Sequence, residues 1–330
     1  MSSVTGPSGL GVVVIVSYGP DRQSGHAQNT LWLKCHRVFF LTIDLFQKLG
    51  IIIDMSRDIF RSYYRDVIKP LESSNPEIIG YTGKHPILYK KIGNGPHHVL
   101  ISGGVHGEEI AGCAAAVDII ENLFTVPGGH FTIHVYPCMN PYGYEYNIRE
   151  NAEGIDLNRG FKETLKGREV EIFAEHVKKL NYKYIFTMDF HEGSPNTIWK
   201  VLDNNKKIKC SYSLEDNPHG AWLYESCKVL SHRMGDKMLQ ALRNEGLEVT
   251  SKDIVYDDIC DNGWIKYPEA MKSEEYAEGN SFDAWLWAHY TSQAFTSETD
   301  MSWPLEDRIK AHHLMLMAAL EATRTRLDNV

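Results

Sequence analysis

Two kinds of apolar spacing alternate along most of this chain. Short, nearly continuous apolar runs near 86–92, 98–103, 131–137 and 183–189 read as strands, while the segments 108–123, 168–180 and 305–326 read as helices. The same reading predicts a strand near 198–202, a helix from about 222 to 245, a strand near 248–256 and a last strand over 293–297. Such alternation predicts an α/β fold: a mixed, largely parallel twisted sheet with helices on both faces and sites at the carboxyl ends of its strands. The polar, irregular stretches Lys206–Gly220 and Asp257–Asp283 interrupt the pattern and are expected to be rim loops that select substrate.

The first 54 residues do not share this pattern. Their two apolar stretches, Gly9–Ser17 and Val38–Ile53, do not read as membrane spans: the first is too short, and the second contains Asp44, Gln47 and Lys48. No positive n-region and no small-residue cleavage site mark a signal peptide. A cleaner helical pattern, Ser56 to Arg65, follows Met55. Residues 1–54 are therefore expected to be a dispensable extension or to lie upstream of the true start, with one catalytic domain over 55–330. Deletion to Met55 is expected to leave soluble, active protein.

The chemistry gathers at strand exits. In Gly103-Gly-Val-His-Gly-Glu-Glu109, His106 and Glu109 stand three residues apart at a strand-to-helix turn. Taken alone, the pair also fits a solvated loop histidine whose acidic neighbours favour a helix N-terminus. In Thr187-Met-Asp-Phe-His-Glu-Gly193 a second histidine, His191, ends an apolar run. Two histidines and one carboxylate, with a fourth position left to water, are the ligands of a catalytic zinc site. Asp189, two residues before His191 and so on the same strand face, is placed to orient an imidazole. Between these segments, Asn140-Pro-Tyr-Gly143, Arg149 and Asp156-Leu-Asn-Arg-Gly-Phe161 supply two guanidiniums and an amide. Asn158 and Arg159 suit a clamp on a substrate carboxylate, although arginines in a polar loop also serve as surface cations. Near the end, Ala294-Phe-Thr-Ser-Glu-Thr-Asp300 places Glu298 on a short strand, where it also fits a residue capping the helix that follows.

In this order the four segments resemble the zinc carboxypeptidase family, most closely its compact bacterial branch of murein peptide amidase-like enzymes. The related succinylglutamate desuccinylases and aspartoacylases share several of the elements. The resemblance covers roughly residues 80–327 and implies the zinc carboxypeptidase-like (phosphorylase/hydrolase-like) form of the α/β fold. It implies one zinc ion held by His106, Glu109 and His191, with Arg149 stabilising an oxyanion. Asn158 and Arg159 would bind the substrate's carboxylate, and Glu298, in a Thr296-x-Glu298 segment, would be the general base. Two positions depart from the family: Tyr142 replaces the aspartate of Asn-Pro-Asp-Gly, and Gly160 replaces the second asparagine of Asp-Leu-Asn-Arg-Asn-Phe. The family's substrate-capping tyrosine is unassigned, since Tyr256, Tyr267 and Tyr276 all lie in the loop-rich region before the last strand.

The expected activity is hydrolysis of an amide bond next to a free carboxylate in a peptide or peptidoglycan-derived peptide. The alternative is an N-acyl amino acid deacylase, whose relatives often add a C-terminal β domain. Composition agrees without deciding: 330 residues, 43% hydrophobic, suffice for one large domain. A formal charge of −9 with no basic, aromatic-interleaved patch argues against a nucleic-acid partner, and no membrane partner is expected. Cys35, Cys113, Cys138, Cys210, Cys227 and Cys260 lack Cys-x-x-Cys spacing and read as buried free thiols of a cytoplasmic protein.

Overall fold

Val99, Leu100 and Ile101 are all fully buried, which a strand achieves only with packing on both of its faces. The computed structural model describes residues 61–122, 129–193, 218–256, 258–267 and 281–329, together with the backbones of short strands at 2–5, 11–14, 200–202 and 208–210. The chain divides into two compact units, Met1–Arg57 and Asp58–Val330. In the first, Ser2–Thr5 pairs antiparallel with Gly11–Val14. The expectations about residues 1–54 otherwise lie outside the described residues.

The second unit holds one sheet of eight strands: β1 (Glu77–Thr82), β2 (His85–Gly93), β3 (His97–Gly103), β4 (Phe131–Tyr136), β5 (Tyr184–Gly193), β6 (Trp222–Cys227), β7 (Trp264–Tyr267) and β8 (Gln293–Asp300). They lie in the order β7-β6-β8-β5-β3-β4-β2-β1. The central four, β8, β5, β3 and β4, run parallel. β6 joins β8 antiparallel with β7 parallel to it, and β2 and β1 close the other edge antiparallel. The helices are α1 (Ile110–Glu121), α2 (Pro141–Tyr146), α3 (Arg168–Leu180), α4 (Gly235–Asn244), α5 (Phe282–His289) and α6 (Leu305–Asp328). This is the mixed, mostly parallel sheet expected.

Because strand side chains alternate, the sheet has two cores. Val99 and Ile101 join Phe186, Phe295, Cys113 of α1, Met238 of α4 and Met315 of α6 on one face. Leu100 joins Tyr136, Tyr184, Phe173 of α3 and Phe282 of α5 on the other. Helix α1, which begins one residue after Glu109, sits directly on the strand backbone: a Cβ built on Gly112 would lie 2.4 Å from the Phe190 carbonyl oxygen. Only glycine permits that approach.

Four expectations needed correction. The helix expected over 222–245 is a strand, β6, followed by α4. Trp222 and Leu223 are both fully buried, so β6 lacks the period-two pattern that would have marked it, and its apolar residues mimic helical spacing. The strand expected near 248–256 reduces to Ile254–Val255, paired with Asp258–Ile259, and a single bridge from Val249 to Ala221. The expected loop 257–283 contains β7 and the start of α5, whose Ser281 Oγ accepts a hydrogen bond from Ala284 N. The helical pattern assigned to 56–65 appears, within the described residues, as helical turns over Tyr64–Leu71.

A polar group is built into the sheet away from the strand ends discussed above. His134 is fully buried; its Nδ1 lies 2.7 Å from Tyr89 Oη and its Nε2 2.8 Å from His98 Nδ1. Burial, with smaller contributions from His98 and Lys91, pushes its imidazole down to about 3. Between about pH 6.5 and 3 the unfolded chain therefore binds a proton that the folded chain does not. Stability should rise with pH across that window, by up to about 1.4 kcal/mol per pH unit from this group alone, and be lost as the pH is lowered towards 3. Urea unfolding across the window tests this; an equal slope in His134→Gln would show that the acid lability arises elsewhere.

Candidate metal centre

The parallel register carries the site together. β8 lies beside β5 with Glu298 opposite His191, and β3 lies beside β5 with Gly103 opposite Phe190, so the turn after β3 delivers His106 and Glu109 to the end of the same strand. His106, Glu109 and His191 are 3%, 3% and 2% exposed, and their donor atoms all lie within 4.8 Å of one another. The Glu109 carboxylate spans the two rings: Oε1 is 2.6 Å from His106 Nδ1 and Oε2 is 2.7 Å from His191 Nδ1. The structure brings these three side chains together.

The outward nitrogens of both rings face carboxylates. His191 Nε2 is 2.6 Å from Asp189 Oδ2, and Asp189 Oδ1 accepts from Ser102 Oγ at 2.7 Å. His106 Nε2 is 3.3 Å from Asp156 Oδ1. The carboxylate bonded behind His191 fixes that ring's orientation and raises its basicity, as metal-ligating histidines require, and Asp156 lies close behind His106. The charges respond accordingly. Burial opposes ionisation of Glu109, but the two imidazoles overcome it and hold the carboxyl well below its usual range. Burial likewise opposes charge on His191, and Asp189 and Glu109 outweigh it to raise its pKa. Two imidazole nitrogens and a carboxylate, enclosed and supported in this way, fit a divalent metal with an open fourth position.

Arg149 lies against the cluster. Its Nη1 is 3.0 Å from His106 Nδ1 and 3.7 Å from Glu109 Oε1, and its Nε donates to Asp156 Oδ2 at 3.0 Å. The Asn140-Pro-Tyr-Gly segment places it. Asn140 Oδ1 accepts from Gly143 N at 2.9 Å to cap α2, while its Nδ2 donates to the Arg149 carbonyl at 3.0 Å. Asp156 caps the turn Leu157–Arg159 by accepting from Asn158 N. Asn158 Oδ1 accepts from Phe282 N at 2.8 Å, so the amide also anchors α5, and Arg159 is exposed beside it. Of the candidate capping tyrosines, Tyr267 donates to Asp258 Oδ2 and feels the charge of Arg159; Tyr276 lies outside the described residues.

Glu298 is half-buried. Burial, partly offset by His191 and Arg149, pushes its carboxyl up to about 8. Several supports were not singled out from the sequence. Arg61 donates to the carbonyls of Gly107 and Glu108, both at 3.0 Å. Ser102 reaches Asp189 across 87 residues, and Arg308 reaches Glu192 across 116. Asp156 was visible as a motif letter; pairs this remote leave no local signal.

Sheet and site together define a metallocarboxypeptidase-like fold. A family model for the succinylglutamate desuccinylase/aspartoacylase catalytic domain matches residues 96–204, a span that includes all three candidate ligands. Mouse carboxypeptidase D is 23% identical over 229 residues, covering 61% of this chain and 16% of that protein. Murein peptide amidase A of Escherichia coli K12 is 37% identical over 62 residues, covering 19% and 24% respectively. The chain thus spans only a minor part of the curated relatives it matches. Among solved structures, one from Shewanella amazonensis provisionally named a metallopeptidase superposes with a TM-score of 0.58 at 20% identity, covering 78% of this chain and 91% of that one. A metallo-carboxypeptidase from Burkholderia cenocepacia gives 0.53 at 14% identity, covering 80% and 68%. The expected resemblance to zinc carboxypeptidases and their amidase relatives is borne out.

Among the described residues no helix is long and apolar enough to cross a membrane. Cys113, Cys138, Cys227 and Cys260 are buried and free, as expected.

Proposed function

We propose that this protein is a zinc-dependent hydrolase that cleaves an amide bond next to a free carboxylate, in a peptide or peptidoglycan-derived peptide. The observation that carries it is the convergence of His106 Nδ1, His191 Nδ1 and the Glu109 carboxylate, with Glu298 opposite His191 in the adjacent strand. Those three side chains would hold the ion. Bound there, zinc supplies Lewis-acid polarisation and acidifies water.

The chain's own groups would do the remaining work. Glu298, opposite His191 in the adjacent strand, takes the proton of the attacking water in its ionised form and returns it to the leaving amine. Arg149, fixed by Asp156 beside the ligands, donates to the oxyanion as it forms. Arg159 pairs with the substrate carboxylate, and Asn158 contributes its amide Nδ2 while its oxygen secures α5. Arg149→Ala is expected to retain zinc and lose about a hundredfold to a thousandfold in turnover. Zinc content and kcat of the purified variant check this, and full activity would remove Arg149 from the reaction.

A deacylase acting on N-acyl amino acids is the second reading, favoured by the desuccinylase/aspartoacylase match over residues 96–204. One digest separates the two. A pool of peptides with free C-termini, muropeptides and N-acyl amino acids is incubated with the protein, with Glu298→Gln as the blank, and read by mass spectrometry. Loss of C-terminal residues or cleavage within muropeptides supports the first reading. Release of acyl groups alone supports the second, and no cleavage of any substrate overturns both.

A further inference from the structure

One buried carboxylate links the elements that carry Glu109, His191 and Glu298 without being one of the reacting groups. Glu192 follows His191 directly and is 3% exposed. Its Oε2 accepts from Ala111 N at 2.7 Å, in the first turn of α1 and two residues after Glu109. Its Oε1 accepts from Arg308 Nη1 at 2.7 Å and from Thr299 Oγ1, the residue after Glu298, at 3.4 Å. Its backbone N–H donates to Glu109 Oε2 at 3.2 Å. Arg308, on α6, is itself 9% exposed. A carboxylate at a helix N-terminus with a bidentate-capable guanidinium on its other oxygen is a charge-assisted arrangement that resists displacement.

We propose that Glu192, held by Arg308, is a positioning residue that sets the spacing of His191, Glu109 and Glu298, and so the metal affinity of the site. It rests on the zinc reading above. Its physical basis is that the three site residues come from separate elements, at the β5 end, the α1 start and the β8 end. Strand pairing already ties β5 to β8, and Glu192 adds a side-chain link from them to the start of α1; ligands displaced by a fraction of an ångström hold an ion less well. Groups that orient metal ligands from behind typically change affinity by about tenfold to a hundredfold when altered.

The test compares Glu192→Gln with Glu225→Gln. Glu225 is also a fully buried carboxylate and also binds a helix start, accepting from Met234 N and Gly235 N at 3.1 Å and from Gln293 Nε2 at 2.7 Å, but it contacts none of the proposed ligands. In Glu192→Gln the single amide oxygen cannot accept from both Ala111 N and Arg308, so its NH₂ must face a donor. Zinc affinity is read by competition with a chromogenic chelator, and site geometry by the visible absorption of the cobalt-substituted full-length protein. The expected result is a zinc dissociation constant raised at least tenfold and a changed cobalt spectrum for Glu192→Gln, with both near wild type for Glu225→Gln. Unchanged affinity and spectrum in Glu192→Gln would overturn the positioning role while leaving the zinc reading intact. Equal weakening in both variants would overturn it too, because general softening would then explain the loss. A wild-type chain that binds no zinc would overturn both readings. Should Glu192→Gln not fold, Arg308→Lys, which keeps the pair's charge but loses the planar guanidinium fork, is expected to weaken zinc severalfold; wild-type affinity there would equally overturn the role.

Discussion

Glu298→Gln is expected to bind metal and substrate and yet lose about a hundredfold to ten-thousandfold in turnover. Glutamine fills nearly the same volume and keeps one acceptor oxygen, so β8 should hold its register beside β5. What it lacks is the capacity to take a proton. Glu298 is not one of the three clustered ligands, so zinc content should stay at the wild-type level. Single-turnover cleavage together with zinc stoichiometry makes the test. Full turnover would place the base on another group, and lost zinc would give Glu298 a role in holding the ion.

His191→Ala is expected to have the largest combined effect, on both metal and stability. It removes one of three ligands and leaves two carboxylates, Glu109 and Asp189, buried at 3% and 2% exposure without the imidazole between them. Removing one partner of a buried charged pair typically costs about 3–5 kcal/mol, because the remaining charge stays desolvated. Urea unfolding in the presence of a chelator should show a loss of that order in metal-free protein, and equilibrium dialysis should show zinc uptake nearly abolished. His191→Gln, which keeps a polar group at the position, should recover part of the stability and little of the zinc. Wild-type zinc uptake by either variant would remove His191 from the ligand set.

The two predictions draw on different parts of the chain. His106 and Glu109 were readable because their geometry is local: three residues span the turn between a strand and a helix, and strand and helix are each marked by their own apolar spacing. His191 and Glu298 were readable as strand-end residues for a similar reason. Asn158 and Arg159 were readable as donors by type, but the structure divides the amide's duty, with Asn158 Oδ1 committed to Phe282 N across 124 residues. The strand β6 was misread as helix, and it supplies Trp222, which lies opposite Glu298 in the register. Its residues are buried on both faces, and double burial erases the alternation from which a strand is recognised.

Residue type and short-range spacing therefore indicated the α/β class and the order of the central elements along the chain, and pointed to the candidate ligands, since these depend on forces acting within a few residues along the chain. The strand order, the pairing that sets Glu298 beside His191, and the contacts Ser102–Asp189 and Arg308–Glu192 emerged only on folding. They join residues 87 and 116 positions apart, and such pairings follow from which buried faces and buried charges satisfy one another in three dimensions, a condition that no local pattern encodes.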